Sequence, residues 1–346
     1  VAVAVVAVAA EAGNKEIKQF VRSNSMKTKS LIKHSSGHQI PAILMAGIFC
    51  LAATAANAAD AAATAAKQFD TPEQAAQSLL EAAASFKVAE LKAILGPGSE
   101  DIVASEDPVM DKQRAQDFAA QAKEKQSIEI DAENPNLATL AVGEDAFPMP
   151  IPIVKKDGKW SFDTKSGREE ILNRRIGANE LDAITICRGY VEAQHEYAAT
   201  KHDGAIVNQY AQRIISTPGK QDGLAWKNAD GTWEGPVGEE IAKALEQGYA
   251  EQKKQPYHGY YFKVLKGQGP AAPLGEIDFV INGAMIGGFA LAAAPADYRV
   301  TGVKTFIVSH TGVVYEKDLG PETLDLFQKM EQFNPDESWK ETEDEW

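Results

Sequence analysis

Positive charge, histidine and cysteine are all scarce in this chain of 346 residues, and each shortage speaks against a class of function. Thirty-five Lys and Arg stand against 49 Asp and Glu, a formal net charge of −14. No Lys/Arg-rich run or alternating aromatic–basic stripe offsets that balance. Broad attraction to nucleic acid or anionic lipid needs cations gathered against phosphates, so neither is expected as a partner. Aromatic residues make up only 8% of the chain, but hydrophobic residues reach 44%, enough for ordinary alanine-rich cores. The length leaves room for roughly two domains of about 150 residues each.

The most informative gap is local: no Asp or Glu occurs between Glu16 and Asp60. Inside it Met26 is followed by Lys27, Lys29 and Lys33, then by the apolar run Ile40 to Ala56, then by Ala56-Asn57-Ala58. A basic start, an apolar middle and a small-x-small exit predict a signal peptide over 26–58, cleaved near Ala58. The alternative is an uncleaved anchor, because the run approaches the roughly 17-residue lower limit for spanning a bilayer. Alanine richness and the well-formed exit favour cleavage. The predicted location is then periplasmic or secreted, with no membrane span left. Phe49 before Cys50, in place of Gly or Ala, speaks against a lipoprotein site. Residues 1–25, opening on VAVAVVAVAA, read as upstream sequence outside the fold.

Without residues 1–58 the chain carries 29 basic and 47 acidic side chains. Cys187 is then its single cysteine, so no internal disulfide is available and stability must come from packing. On a helical stripe such a thiol reads as a small apolar residue.

Two modules are expected, 59–165 and 166–346. In the first, Thr71 with Pro72 and Gln74 predicts a capped helix start, and Gly96-Pro97-Gly98 a stop after a second helix. A third helix is expected at about 112–125. The period then changes to strand-like alternation, with Asp157-Gly158 as a two-residue hairpin signal. Helices followed by a small antiparallel sheet suggest an α+β module of NTF2-like layout. From Gly167 to Lys201 the pattern is helical, with Leu181, Ile184, Cys187 and Val191 on one stripe. A turn-rich segment and a short helix at about 238–251 follow. The last hundred residues read as strands, expected to form a second antiparallel sheet packed on the 170–200 helix. The acidic tail is expected to be solvated.

Several blocks carry a resemblance: FPMPIPIV, GKWSFDTKSGREEILNRRIGANELDAI, VEAQHEYA, PYHGYYFKVLKGQG, MIGGFALAAAPADY and TGVKTFIVSHTGVVYEKDLGP. Together they resemble domain-of-unknown-function family 2950 of bacterial exported proteins, over roughly Phe69 to Pro321. That resemblance implies Gram-negative export to the envelope and brings no activity, cofactor or catalytic residue. More loosely, the helix with AQHEYA followed by GYYF and TGVKTFIVSHTGVVY is similar to pilin-like and pseudopilin globular domains. Pilins place that helix directly after a processing site, whereas here it is internal and charged at Arg174, Arg175, Glu180 and Arg188.

No convergent chemistry emerges from spacing. On a continuous helix His195 and His202 lie about 10 Å apart along the axis, too far for one zinc ion. Ser309 and His310 are adjacent strand residues facing opposite ways. No catalytic residue, metal site or cofactor is predicted. Trp226, Trp233, Tyr257, His258 and Tyr260 form the candidate binding set, because exposed rings stack on sugar or peptide. The leading expectation is a non-catalytic envelope binding or assembly component, its partner an envelope protein or a cell-wall polysaccharide. The alternatives are an envelope hydrolase whose site forms only in three dimensions and a pilin-like self-assembling subunit. The glycines of INGAMIGGFALAAAP (Gly283, Gly287, Gly288) lack the Lys-Ser/Thr of a phosphate loop and read as a packing seam, most simply against the Cys187 helix.

Overall fold

The computed structural model describes residues 65–104, 108–237 and 256–343. The expected signal peptide, the short helix at 238–251 and the end of the acidic tail lie outside the described residues. The chain divides into two compact units, one ending at Arg174 and one starting at Arg175. Helices and antiparallel sheets make both of α+β class.

The first unit begins with α1 (Pro72–Ala84) and α2 (Val88–Leu95). The Thr71 hydroxyl accepts the Gln74 N–H at 3.2 Å, and the Gln74 amide oxygen takes the N–H of Asp70. One donor that the first turn leaves open and the N–H just before the cap are thereby satisfied. Past α1 the backbone turns left-handed at Phe86, φ 44°, which separates α1 from α2. Gly96, at φ 78°, closes α2. The third helix, α3 (Pro108–Glu124), starts before the residues that sequence periodicity assigns to it. A five-stranded sheet follows: β1 (Gln126–Ile130), β2 (Leu137–Val142), β3 (Ile153–Lys156) and β4 (Lys159–Phe162) run in the order β1-β2-β3-β4, and the two-residue strand Phe147–Pro148 pairs with β2. Asp157 and Gly158 both hold positive φ, the geometry of the two-residue hairpin that right-twisted strands favour. Ile153 therefore pairs with Phe162, and both face a core shared with Leu79, Ile94, Phe118 and Leu140.

The unit boundary falls inside one helix of 35 residues, α4 (Thr164–Ala198). Asp163 caps it, accepting the N–H and the hydroxyl of Ser166. A Cβ at Gly167 would lie 2.6 Å from the Ile151 side chain, so glycine lets the first turn rest on that residue. The helix stops at Ala198, before His202, so the continuous helix assumed for His195 and His202 is not formed. Gln194, fully buried near its end, bonds both the N–H and the C=O of Ala211 and holds the returning chain against the helix.

In the second unit β5 (Arg213–Ile215), β6 (Gly223–Lys227) and β7 (Trp233–Glu234) form one small sheet in that order. The larger sheet contains β8 (Tyr260–Leu265), β9 (Ala290–Pro295), β10 (Lys304–Ser309), β11 (Val314–Asp318) and β12 (Lys340–Glu341). Its strands are antiparallel and ordered β12-β11-β10-β9-β8, which leaves β8 at one edge. All six residues of β9 are buried. Leu291 on one face packs with α4, whose Ala183, Ile184, Cys187 and Tyr190 join the sheet in one core. Packing of this sheet on the helix is thus as the stripe implies. A last helix, α5 (Thr323–Lys329), packs against β9 as well. Asn179 and Glu180 fasten α4 at a third place, through the Thr301 carbonyl and the N–H groups of Val303 and Lys304.

The glycine seam holds at Gly287 and Gly288 but not at Gly283, whose Cβ would meet no described atom within 4 Å, and its neighbour is not the Cys187 helix. A Cβ on Gly287 would lie 2.5 Å from the Asp278 carbonyl oxygen and 3.2 Å from the Phe279 Cα. Gly287 and Ile286 both donate to the Phe279 carbonyl, which draws the two backbones together. Gly288 adopts φ 141° against the rings of Phe279 and His310, and no helix follows it. Gly287→Ala should cost about 1–3 kcal/mol, because the clash is with backbone that cannot rotate away. Gly189→Ala is the contrast: it lies within α4 with no described atom within 4 Å of its Cβ and should gain up to about 1 kcal/mol. Urea unfolding of the two variants checks both signs.

Candidate functional site

The small sheet and the edge strand β8 enclose a groove of about 700 Å³, within the usual range of ligand sites. One wall is the continuous stretch from Gln212 to Gly219, including all of β5. The opposite wall is Phe262, Val264 and Lys266, every second residue along β8 and just past it. Lys227, Asn228 and Trp233, from β6, β7 and the turn between them, complete the lining. An apolar pocket of about 360 Å³ adjoins the groove, sharing Ile214 and Phe262 with it and running along α4 past Tyr190 and Ala193.

Three cations line the groove in a chain of net charge −14. Arg213 lies 3.5 Å from Asp222, a carboxylate that also accepts the Thr217 N–H and hydroxyl. Burial opposes ionisation of Asp222, but those hydrogen bonds and the Arg213 charge outweigh it and hold the group below the usual carboxylate range. The Lys227 ammonium sits 5.6 Å from the centre of the Trp233 ring, a cation–π contact. Lys266 is exposed and forms no ion pair among the described residues. The lining contains no carboxylate, imidazole or thiol. It presents cations, amides, hydroxyls and one indole, which together can hold an anionic ligand.

The five residues proposed from sequence do not converge. Trp233 alone lines the groove, and Tyr257 lines the apolar pocket. Trp226 is half-buried beside His202, with ring centres 5.4 Å apart. Tyr260 is 1% exposed and donates its hydroxyl to the Lys304 carbonyl, so its role is packing on β10. His258 is exposed and stands at φ 47° with its Nδ1 2.7 Å from an Asp182 carboxylate oxygen. Arg213 and Lys266 were missed because isolated cations carry no sequence signal. They are 53 positions apart and meet only through the fold.

The remaining reactive groups are placed as structure. His202 is 8% exposed and stacks on Tyr197 with ring centres 4.0 Å apart. Burial pushes the Cys187 thiol up to about 12. Among the described residues, no group of three or more His, Cys, Asp or Glu is arranged to hold a metal ion. No described helix is long and apolar enough to cross a membrane.

A family model described as Protein of unknown function (DUF2950) matches residues 66–342, and the chain belongs to that family. No curated protein and no solved structure matches it. The comparisons therefore support the first resemblance and give none to the pilin-like one.

Two predictions follow from these environments. The hydrogen bond from Asp182, with its charge, outweighs partial burial and raises His258 above the ordinary histidine value. A raised folded pKa means the pair's contribution is complete below the unfolded pKa and is lost as pH rises through the folded one. NMR titration should place His258 above free histidine, and Asp182→Asn should bring it down. Cys187, as a buried neutral thiol, should resist a thiol reagent at pH 8 in native protein and react fully in denaturant.

Proposed function

We propose that this chain is an exported component of the bacterial cell envelope that binds a ligand in the groove and does not transform it. The observation that carries the reading is the groove itself: Arg213, Lys227 and Lys266 line one recess with the Trp233 ring, in a strongly acidic chain. The lining favours binding over hydrolysis because it supplies charge and hydrogen-bond donors without a nucleophile–base pair. Export is supported by the basic, apolar and Ala56-Asn57-Ala58 segments of residues 26–58. The partner is an envelope protein or a cell-wall polysaccharide. Neither nucleic acid nor a cofactor enters this reading.

The test combines location with retention. In a Gram-negative host the protein should appear in the periplasmic fraction with its N-terminus near Ala59. Cytoplasmic retention of the uncleaved chain would sink the export half. Purified protein should co-sediment with isolated envelopes, and the double charge reversal Lys227→Glu with Lys266→Glu should weaken this about tenfold, equivalent to about 1.4 kcal/mol. Both side chains are exposed, so the fold should survive, as circular dichroism can verify. Undiminished retention would show that the groove is not the binding site.

A further inference from the structure

We infer that the groove takes an extended acidic peptide segment, which adds as a strand to the open edge of β5. The inference rests on the reading of the groove as a binding site and specifies what fills it.

Side chains of a strand alternate between its two faces, so a wall built from one face shows every second residue. The β8 wall does so, with Phe262, Val264 and Lys266. The β5 wall does not: Arg213, Ile214 and Ile215 line the groove without a gap. Continuous lining is the mark of a strand seen along its edge, where backbone N–H and C=O groups point outward. The topology agrees, because β5 is the terminal strand of its sheet and no described strand pairs with its outer side. An open edge of this kind is a template for a further strand.

Charge then selects among strands. A ligand lying along β5 meets Arg213 on the same wall, Lys227 beside the Trp233 ring, and Lys266 across the groove. Ile214 and Val264 supply apolar surface between these cations. A segment alternating acidic and apolar residues satisfies both: its backbone pairs with the edge while its carboxylates meet the cations. An anionic glycan would match the charges but leave the edge's donors and acceptors without the regular spacing that a strand provides.

Fluorescence anisotropy on the purified full chain decides the matter, with a labelled octapeptide of alternating Glu and Val as probe. Replacing Glu by Gln should weaken binding at least tenfold, as should Lys266→Glu in the protein. N-methylation reads the backbone. In a paired strand only every second N–H faces the neighbour, so methylating the Glu positions and methylating the Val positions should differ, one set losing at least tenfold and the other tolerated. Equal effects of the two sets would overturn strand addition in favour of charge alone. Binding of oligogalacturonate without binding of the peptide would overturn it in favour of a glycan. If neither ligand binds while envelope retention still depends on Lys227 and Lys266, this inference fails and the proposed function stands. If retention is also independent of them, both fail.

Discussion

Complete burial of one short strand, β9, organises the second unit. A strand covered on both faces cannot alternate apolar with polar residues, and Ala290 to Pro295 has no polar side chain. Leu291 and Ala293 share their face with Phe262 and Val264 of β8 and look toward α4, while Ala292 lies opposite Lys263 on the face that α5 approaches. Small side chains let both helices come close to the sheet. Large side chains from the neighbours then fill the layer: Phe279, Phe289, Phe306 and Phe333 are all fully buried. Each contributes about 1.5–3 kcal/mol by leaving water. The helix, both strand partners and the glycine contact at Gly287 all depend on this strand holding its place.

That arrangement also creates the groove. With β9 next to last in the sheet, β8 becomes an edge, and the face that carries Phe262 and Val264 continues past Leu265 to Lys266. The chain returning from α4 is tied to Gln194 and then enters β5, so the small sheet faces β8 across a gap instead of joining it. Three cations share that gap although acidic side chains outnumber basic ones in the chain, 49 to 35. Exposed charges are screened beyond about 10 Å at 0.1 M salt, so the general acidity of the surface does not cancel a local cluster. The pairing of Arg213 with Asp222 orients one cation from behind, leaving Lys227 and Lys266 free of carboxylates among the described residues.

Much of the local structure is legible in the sequence. Thr71 caps its helix and Asp157-Gly158 turns its hairpin, because these signals act over a few residues of backbone. The stripe through Ile184 and Cys187 does face the sheet. The candidate site was far less legible. Aromatic rings drew attention, yet ring chemistry does not say whether a ring meets solvent or core: Tyr260 is sealed against Lys304, and Trp233 opens on the groove. The lysines and the arginine that give the groove its character look like any surface cation in the text of the chain. The glycine seam was read as a close approach, but its partner, the backbone at Asp278 and Phe279, follows only from how the loop folds back.

By itself, then, the sequence determined what short-range physics controls: a capped helix start, turn types, strand periods, a single cysteine after Ala58 and membership of the DUF2950 family. The tertiary structure alone decided which residues share a space. Arg213, Lys227 and Lys266 belong to three segments, with Ile214 beside the first and Phe262 on the same wall as the last. Their proximity comes from sheet order and from the burial of β9, both of which depend on contacts between residues far apart along the chain. No local pattern carries that information, because an edge strand and a central strand differ in what lies beside them and not in their own backbone.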